Sequence, residues 1–206
     1  MIISRIDTVI VVGFLILVQG TGALAGFWLP AIAPEVGESL GLSPSLIAYP
    51  VLILYIFAMI SSLMAGGFVA RFGAWRASQA ALILIGISHL MFMNGSLIFL
   101  AVGSIILGGA YGLLTPPASH LLSKIVTAKN RNLIFSIRFT GVPLGGILAG
   151  LLAPSVALEY GWRESMLVTV VISVVIAVAM QPLRKRWDSD RSKGAKIIRN
   201  PVSDIC

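Results

Sequence analysis

Residues 136–146, SIRFTGVPLGG, set an arginine a few positions inside an apolar run and follow it with a proline and three glycines. An ionised side chain at the centre of a bilayer costs about 2.5–3.5 kcal/mol on insertion scales unless it snorkels, pairs or faces water. Whether Arg138 bears that cost depends on what surrounds it in the chain.

Apolar residues make up 57% of the 206 and charged residues only 11%, against about 25% charged in a soluble domain. A buried soluble core would need a polar outer face on each helix, and these segments have none. Long apolar runs almost free of charge are membrane spans. The sequence therefore predicts an all-α integral membrane protein.

Six spans are expected, at about 8–34, 46–70, 77–93, 98–123, 133–156 and 165–182, each near or above the ~20 residues that cross a bilayer. They form one bundle over 1–182, followed by a basic tail over 183–206. The first apolar stretch is too long for a cleaved signal and is expected to act as a signal anchor. The single cysteine, Cys206, excludes an intrachain disulfide and has no metal-ligand neighbours.

Lysine and arginine orient the spans. Thirteen of the 15 basic residues fall in 1–7, 71–76, 124–132 and 183–206, which share one face if both termini do. The opposite face has Arg163 alone, among Glu35, Glu38, Glu159 and Glu164. The positive-inside rule places both termini in the cytoplasm. The net charge of +7 is thus mostly a topology signal, and nucleic-acid binding is not expected. Trp28, Trp75, Trp162 and Trp187 all fall at predicted span ends, where an aromatic belt would sit.

An internal repeat is also expected. Gly22, Gly26 and Pro30 in the first span match Gly108, Gly112 and Pro116 in the fourth at an offset of 86, and RFGAWR (71–76) matches EYGWR (159–163) at 87–88. Spans one to three and four to six then form two three-helix units, the second inverted because each contains an odd number of crossings. Chance pairing among 21 glycines is the plain alternative. On either reading Gly22/Gly26, Gly108/Gly112, Gly141/Gly145 and Gly146/Gly150 lie about one turn apart and offer flat strips for close helix contact. Pro30, Pro116, Pro117 and Pro143 remove backbone donors and invite kinks.

GGFVARFGAWRAS (66–78) resembles the loop signature of the major facilitator superfamily: Gly66, Arg71, Gly73 and Arg76 fit, while Ala70 stands where the family has an acid. SIRFTGVPLGGILAG and the later GWR resemble the family's fifth helix and the entry to its sixth, so the likeness covers about 8–182. The resemblance implies a secondary transporter, or half of one, moving a small solute by alternating access. It makes 66–76 a gating loop weakened by Ala70 and gives the third and sixth spans to lipid. The family's transporters have twelve helices, and this chain has six. A truncated product, a separately encoded second half and a homodimer remain open, as does a non-transporting scaffold or inactive fragment. An inner-membrane permease is expected, in contact with lipid and with an anionic solute if Arg138 takes part.

Carried over residue by residue, the resemblance makes Gln19, Thr21, Tyr55, Tyr111, Thr115 and Arg138 substrate-path candidates. For each hydroxyl or amide the plain alternative is a helix-to-helix or back-bonding contact. Arg138 lies five residues beyond Leu133, roughly 8 Å in at 1.5 Å per residue. That is shallow enough to snorkel, so snorkelling and a cavity-facing anion contact both stand. No enzyme, cofactor or metal is expected: His89 and His120 lack a nucleophilic partner, and no phosphate-cradling loop appears.

Overall fold

The computed structural model describes residues 5–43, 46, 48–192 and 194–195; Cys206 and the end of the basic tail lie outside them. The order is α1 (Arg5–Ala31), α2 (Ala33–Leu40), α3 (Ala48–Phe72), α4 (Ala74–Phe92), α5 (Leu97–Gly112), α6 (Thr115–Ile125), α7 (Arg131–Phe139), α8 (Gly141–Tyr160), α9 (Trp162–Ala179) and α10 (Arg184–Trp187). No strand occurs among the described residues.

Among the described residues, five stretches are long and apolar enough to cross a membrane: Ile6–Ala31, Ala48–Phe72, Leu97–Ile125, Arg131–Tyr160 and Trp162–Trp187. The expected third span, α4, is not among them. It has 19 residues and carries Arg76, Ser78, Gln79, Ser88 and His89. All of these but Arg76 are buried, because α4 is sandwiched between α5 and α9. Polar side chains on its inner faces lower its hydropathy. α3 is the opposite case: only 17% of its most apolar stretch is buried within the chain.

The expected fourth and fifth spans are each broken. α5 stops before Leu113 and α6 restarts at Thr115-Pro116-Pro117, since the two prolines have no N–H for the carbonyls one turn back. The α7–α8 join is at Thr140, three residues before Pro143, which leaves the Phe139 carbonyl without its helical donor.

α1 packs along α8, α3 along α5, and α4 along α9. Two of these contacts are set by glycine. A Cβ on Gly141 would meet the Ile16 carbonyl oxygen at 2.6 Å, and one on Gly145 the Leu24 nitrogen at 2.8 Å. A Cβ on Gly112 would meet the Ser62 nitrogen at 2.6 Å, and one on Gly108 would strike the Leu54 carbonyl. Gly22 and Gly26 have other neighbours, the Leu114 side chain and the Tyr111 ring. Gly146 is in ordinary contact with Phe27, and Gly150 faces open space.

The tryptophans do not form an aromatic belt. Trp28 and Trp75 have no exposed surface, and Trp162 and Trp187 are also buried. Their indole partners lie inside the bundle: Trp28 Nε1 donates to Ser165 Oγ (3.2 Å) and Trp75 Nε1 to the Met180 carbonyl (2.6 Å). Position at a span end did not reveal which face the ring occupied.

The first part of the basic tail folds back onto the bundle. Asp188 accepts from the backbone N–H groups of Trp75 (2.8 Å) and Arg76 (3.1 Å), capping the start of α4. Gly73, with φ +97°, leaves room for that carboxylate, and a Cβ there would collide with it. Burial pushes the Asp188 carboxyl upward, and the two amide hydrogen bonds pull it back in part. Trp187 stacks on Trp75 at 6.4 Å, and the Ser192 N–H donates to the carbonyl of Ala70. Asp190 bonds His120 (2.8 Å) and Lys124 (2.7 Å). Partial burial raises its carboxyl, but hydrogen bonds from Lys124 and His120 outweigh this and hold it at about 2. Asp188→Ala is expected to cost about 1–2 kcal/mol by uncapping α4. Asp188→Asn, which keeps one acceptor, should cost less. Melting curves of both variants in detergent, if they overlay the wild type, would refute the cap.

Candidate functional site

α1 presents Gln19, Gly22 and Gly26 on one face, because positions i, i+3 and i+7 align along a helix. That face spans about 10 Å at 1.5 Å per residue. Each position meets a side chain from another span: Gln19 meets Arg138 of α7, Gly22 meets Leu114 at the α5–α6 break, and Gly26 meets Tyr111 of α5. Two other spans, Leu97–Ile125 and Arg131–Tyr160, therefore converge on one strip of α1.

Arg138 does not snorkel. It has no exposed surface. Its Nη2 donates to Gln19 Oε1 (2.6 Å) and to the Leu114 carbonyl (3.3 Å), and its guanidinium lies 4.7 Å from the centroid of the Phe139 ring. Helical phase explains the inward choice. Leu133, Ile137 and Phe139 take the exposed positions of α7, which leaves 138 facing α1 and α6. Its Nε and Nη1 are buried without a hydrogen-bond partner, and it has no ion pair among the described residues. An unpaired buried guanidinium is costly. The free Nε and Nη1 donors lie on opposite sides of the group, so each can take one oxygen of an anion. A forked pair forms only once Nη2 is released from Gln19 and Leu114.

The other candidates divide. Tyr55 and Tyr111 meet edge to face with ring centroids 6.1 Å apart. Thr21 is spent on back-bonding to the Leu17 carbonyl (2.8 Å), and Thr115 is exposed at the start of α6. The expected 66–76 gating loop is helical except at Gly73: Gly66, facing open space, and the exposed Arg71 (over the Phe72 ring) lie in α3, and the exposed Arg76 lies in α4. The Leu114 carbonyl, the Phe139 ring and Asp188 were absent from the expected set. Only Asp188 left a trace in sequence, as an acid inside a basic run.

A family model described as Major Facilitator Superfamily matches residues 12–203. A gallate transporter of Pseudomonas putida is 29% identical over 151 residues, covering 70% of this chain and 32% of the relative. The 4-hydroxybenzoate transporter PcaK of the same organism is 26% identical over 191 residues, covering 89% of this chain and 41% of the relative. The crystal structure of the peptide transporter POT in complex with sulfate superimposes with a TM-score of 0.71 at 22% identity, over 95% of this chain and 42% of that one. The chain spans about a third to two fifths of the length of the curated relatives it matches.

Proposed function

Because the chain belongs to the major facilitator superfamily, we propose that it forms a six-helix unit of a secondary transporter that moves an aromatic carboxylate by alternating access. The observation that carries this is Arg138, buried, without an acid among the described residues, and with Nε and Nη1 free. The named relatives transport gallate and 4-hydroxybenzoate, solutes that combine a carboxylate with a ring. Arg138 would hold the carboxylate, and the Tyr55–Tyr111 pair would offer aromatic edges to the ring. With no exposed surface, Arg138 is reachable only when α1, α6 and α7 separate, so binding at this residue requires motion. The breaks at Leu113–Leu114 and Thr140 are natural places to bend.

The unit is read as six crossings in two inverted halves, with α4 as the third. Two features support this. Exchanging the halves turns the α1–α8 contact into the α5–α3 contact. Gly73 and Gly161 take nearly the same backbone conformation, φ 97°, ψ 151° and φ 95°, ψ 151°, each at the start of a helix. The exposed apolar side chains of α3, among them Leu52, Met59 and Leu63, are suited to lipid or to a second six-helix unit.

The test is uptake of 4-hydroxybenzoate and of its uncharged amide by vesicles containing the chain in its active assembly. Saturable uptake of the acid alone is expected. No uptake of either would favour the scaffold or inactive fragment. The proposed orientation, inner membrane with cytoplasmic termini, has its own test. With Cys206 replaced, Gly41→Cys should react with an impermeant thiol reagent on intact cells and Ser192→Cys should not. The reverse pattern would invert the topology.

A further inference from the structure

We propose that the groove between α4 and α9, closed at one end by Arg76 and Arg184, binds an anionic phospholipid. The groove encloses about 630 Å³. Its walls are Phe68, Ile83, Val174 and Val178, and its basic end is formed by Arg76 and Arg184. Ile83, Val174 and Val178 are exposed, so the apolar wall opens outward, where acyl chains would lie in a membrane.

The groove is polarised along its length. From Ile83 to Arg76 is seven residues of α4, about 10 Å at 1.5 Å per residue, well within one leaflet of a ~30 Å hydrocarbon core. An acyl chain laid along the wall would bring its phosphate to the two guanidiniums. Neither arginine forms an ion pair among the described residues, and no acid lines the groove. Asp188, at this same end, feels the charge of Arg184 but has its carboxylate oxygens held by the backbone N–H groups of Trp75 and Arg76. Gln181 accepts from Gln79 (2.9 Å) through its carbonyl oxygen, which leaves its amide N–H groups available beside the arginines. Paired guanidiniums match a phosphodiester in charge and geometry. Basic pockets between membrane helices on the cytoplasmic side suit anionic headgroups. That last match rests on the orientation proposed above, whereas lipid retention can be measured whether or not the chain transports anything.

The experiment is native mass spectrometry of the full chain purified from mixed phosphatidylglycerol and phosphatidylcholine. Wild type should retain phosphatidylglycerol in preference, and Arg76→Gln with Arg184→Gln should lower that preference by ~10-fold. Ile83→Trp should reduce retention with both arginines intact, by filling the apolar wall. Lys129→Gln, in the turn before α7 and away from the groove, should change nothing. Millimolar inorganic phosphate should fail to displace the lipid. Equal retention of the two lipids would overturn the proposal. So would displacement by phosphate, loss of the preference in Lys129→Gln, or cross-linking of Ile83→Cys to another protein chain.

Discussion

Arg138→Met should abolish high-affinity binding of an aromatic carboxylate while leaving the folded chain as stable as wild type, or more so. The two halves of that expectation have separate causes. A hydrogen bond to a charged group contributes about 1.5–3 kcal/mol, so losing the charge-assisted carboxylate contact should weaken binding by roughly 10- to 100-fold or more. Stability should move the other way. Arg138 is buried without an acidic partner among the described residues, and replacing a buried charge with an apolar side chain of similar volume is often neutral or stabilising. Gln19 is the offsetting loss, since its oxygen would lose its donor from Arg138.

Arg138→Lys separates charge from geometry. Lysine keeps the positive charge but not the planar fork, so binding should fall to an intermediate level. An uncharged analogue should bind wild type and both variants alike. The measurement is equilibrium binding by the active assembly, paired with melting of each variant in detergent. A variant that melts far below wild type yet binds the acid normally would make Arg138 a structural residue and remove it from the solute path.

Membrane character and the glycine–proline spans were legible because both depend on local composition. Direction was not. Apolar residues on every side of a membrane helix erase the amphipathic stripe that tells inside from outside in a soluble one. Depth along the span could therefore be estimated for Arg138, but its facing could not. The same loss of phase misplaced the tryptophans, which sit at span ends yet turn inward to Ser165 and the Met180 carbonyl. Asp188 was illegible for another reason. It caps a helix that begins 114 residues earlier, at Ala74, and no local pattern encodes a cap brought in by tertiary folding. It sits at the α3–α4 junction, part of the 66–76 segment whose expected acid is replaced by Ala70, so one carboxylate reaches this segment from elsewhere in the chain.

The glycine-lined contacts predict the largest loss of stability. Gly145→Leu should break the α1–α8 contact. Its first side-chain carbon would run into the Gly20 carbonyl, the Leu24 nitrogen and the Ala23 methyl. Two of these are backbone atoms of a packed helix and cannot rotate away, so the helices must part along their length. Overpacking typically costs about 1–3 kcal/mol, and this variant belongs at or above the top of that range. Gly112→Leu should behave alike against Ala58 and Ser62 of α3. Gly26→Leu should be milder, because its obstacle is the Tyr111 hydroxyl, the far end of a side chain that can swing. Gly150→Leu should leave the isolated chain unchanged, since nothing lies within 4 Å of its Cβ position. Thermal melting in detergent with size-exclusion profiles should therefore rank the four, with Gly145 and Gly112 worst, Gly26 intermediate and Gly150 near wild type. If Gly26→Leu proved as damaging as Gly112→Leu, the two glycine pairs would be equivalent in packing despite their different neighbours. If Gly150→Leu destabilised an assembly of two six-helix units but not the single chain, the open face of α8 would be a contact between the units.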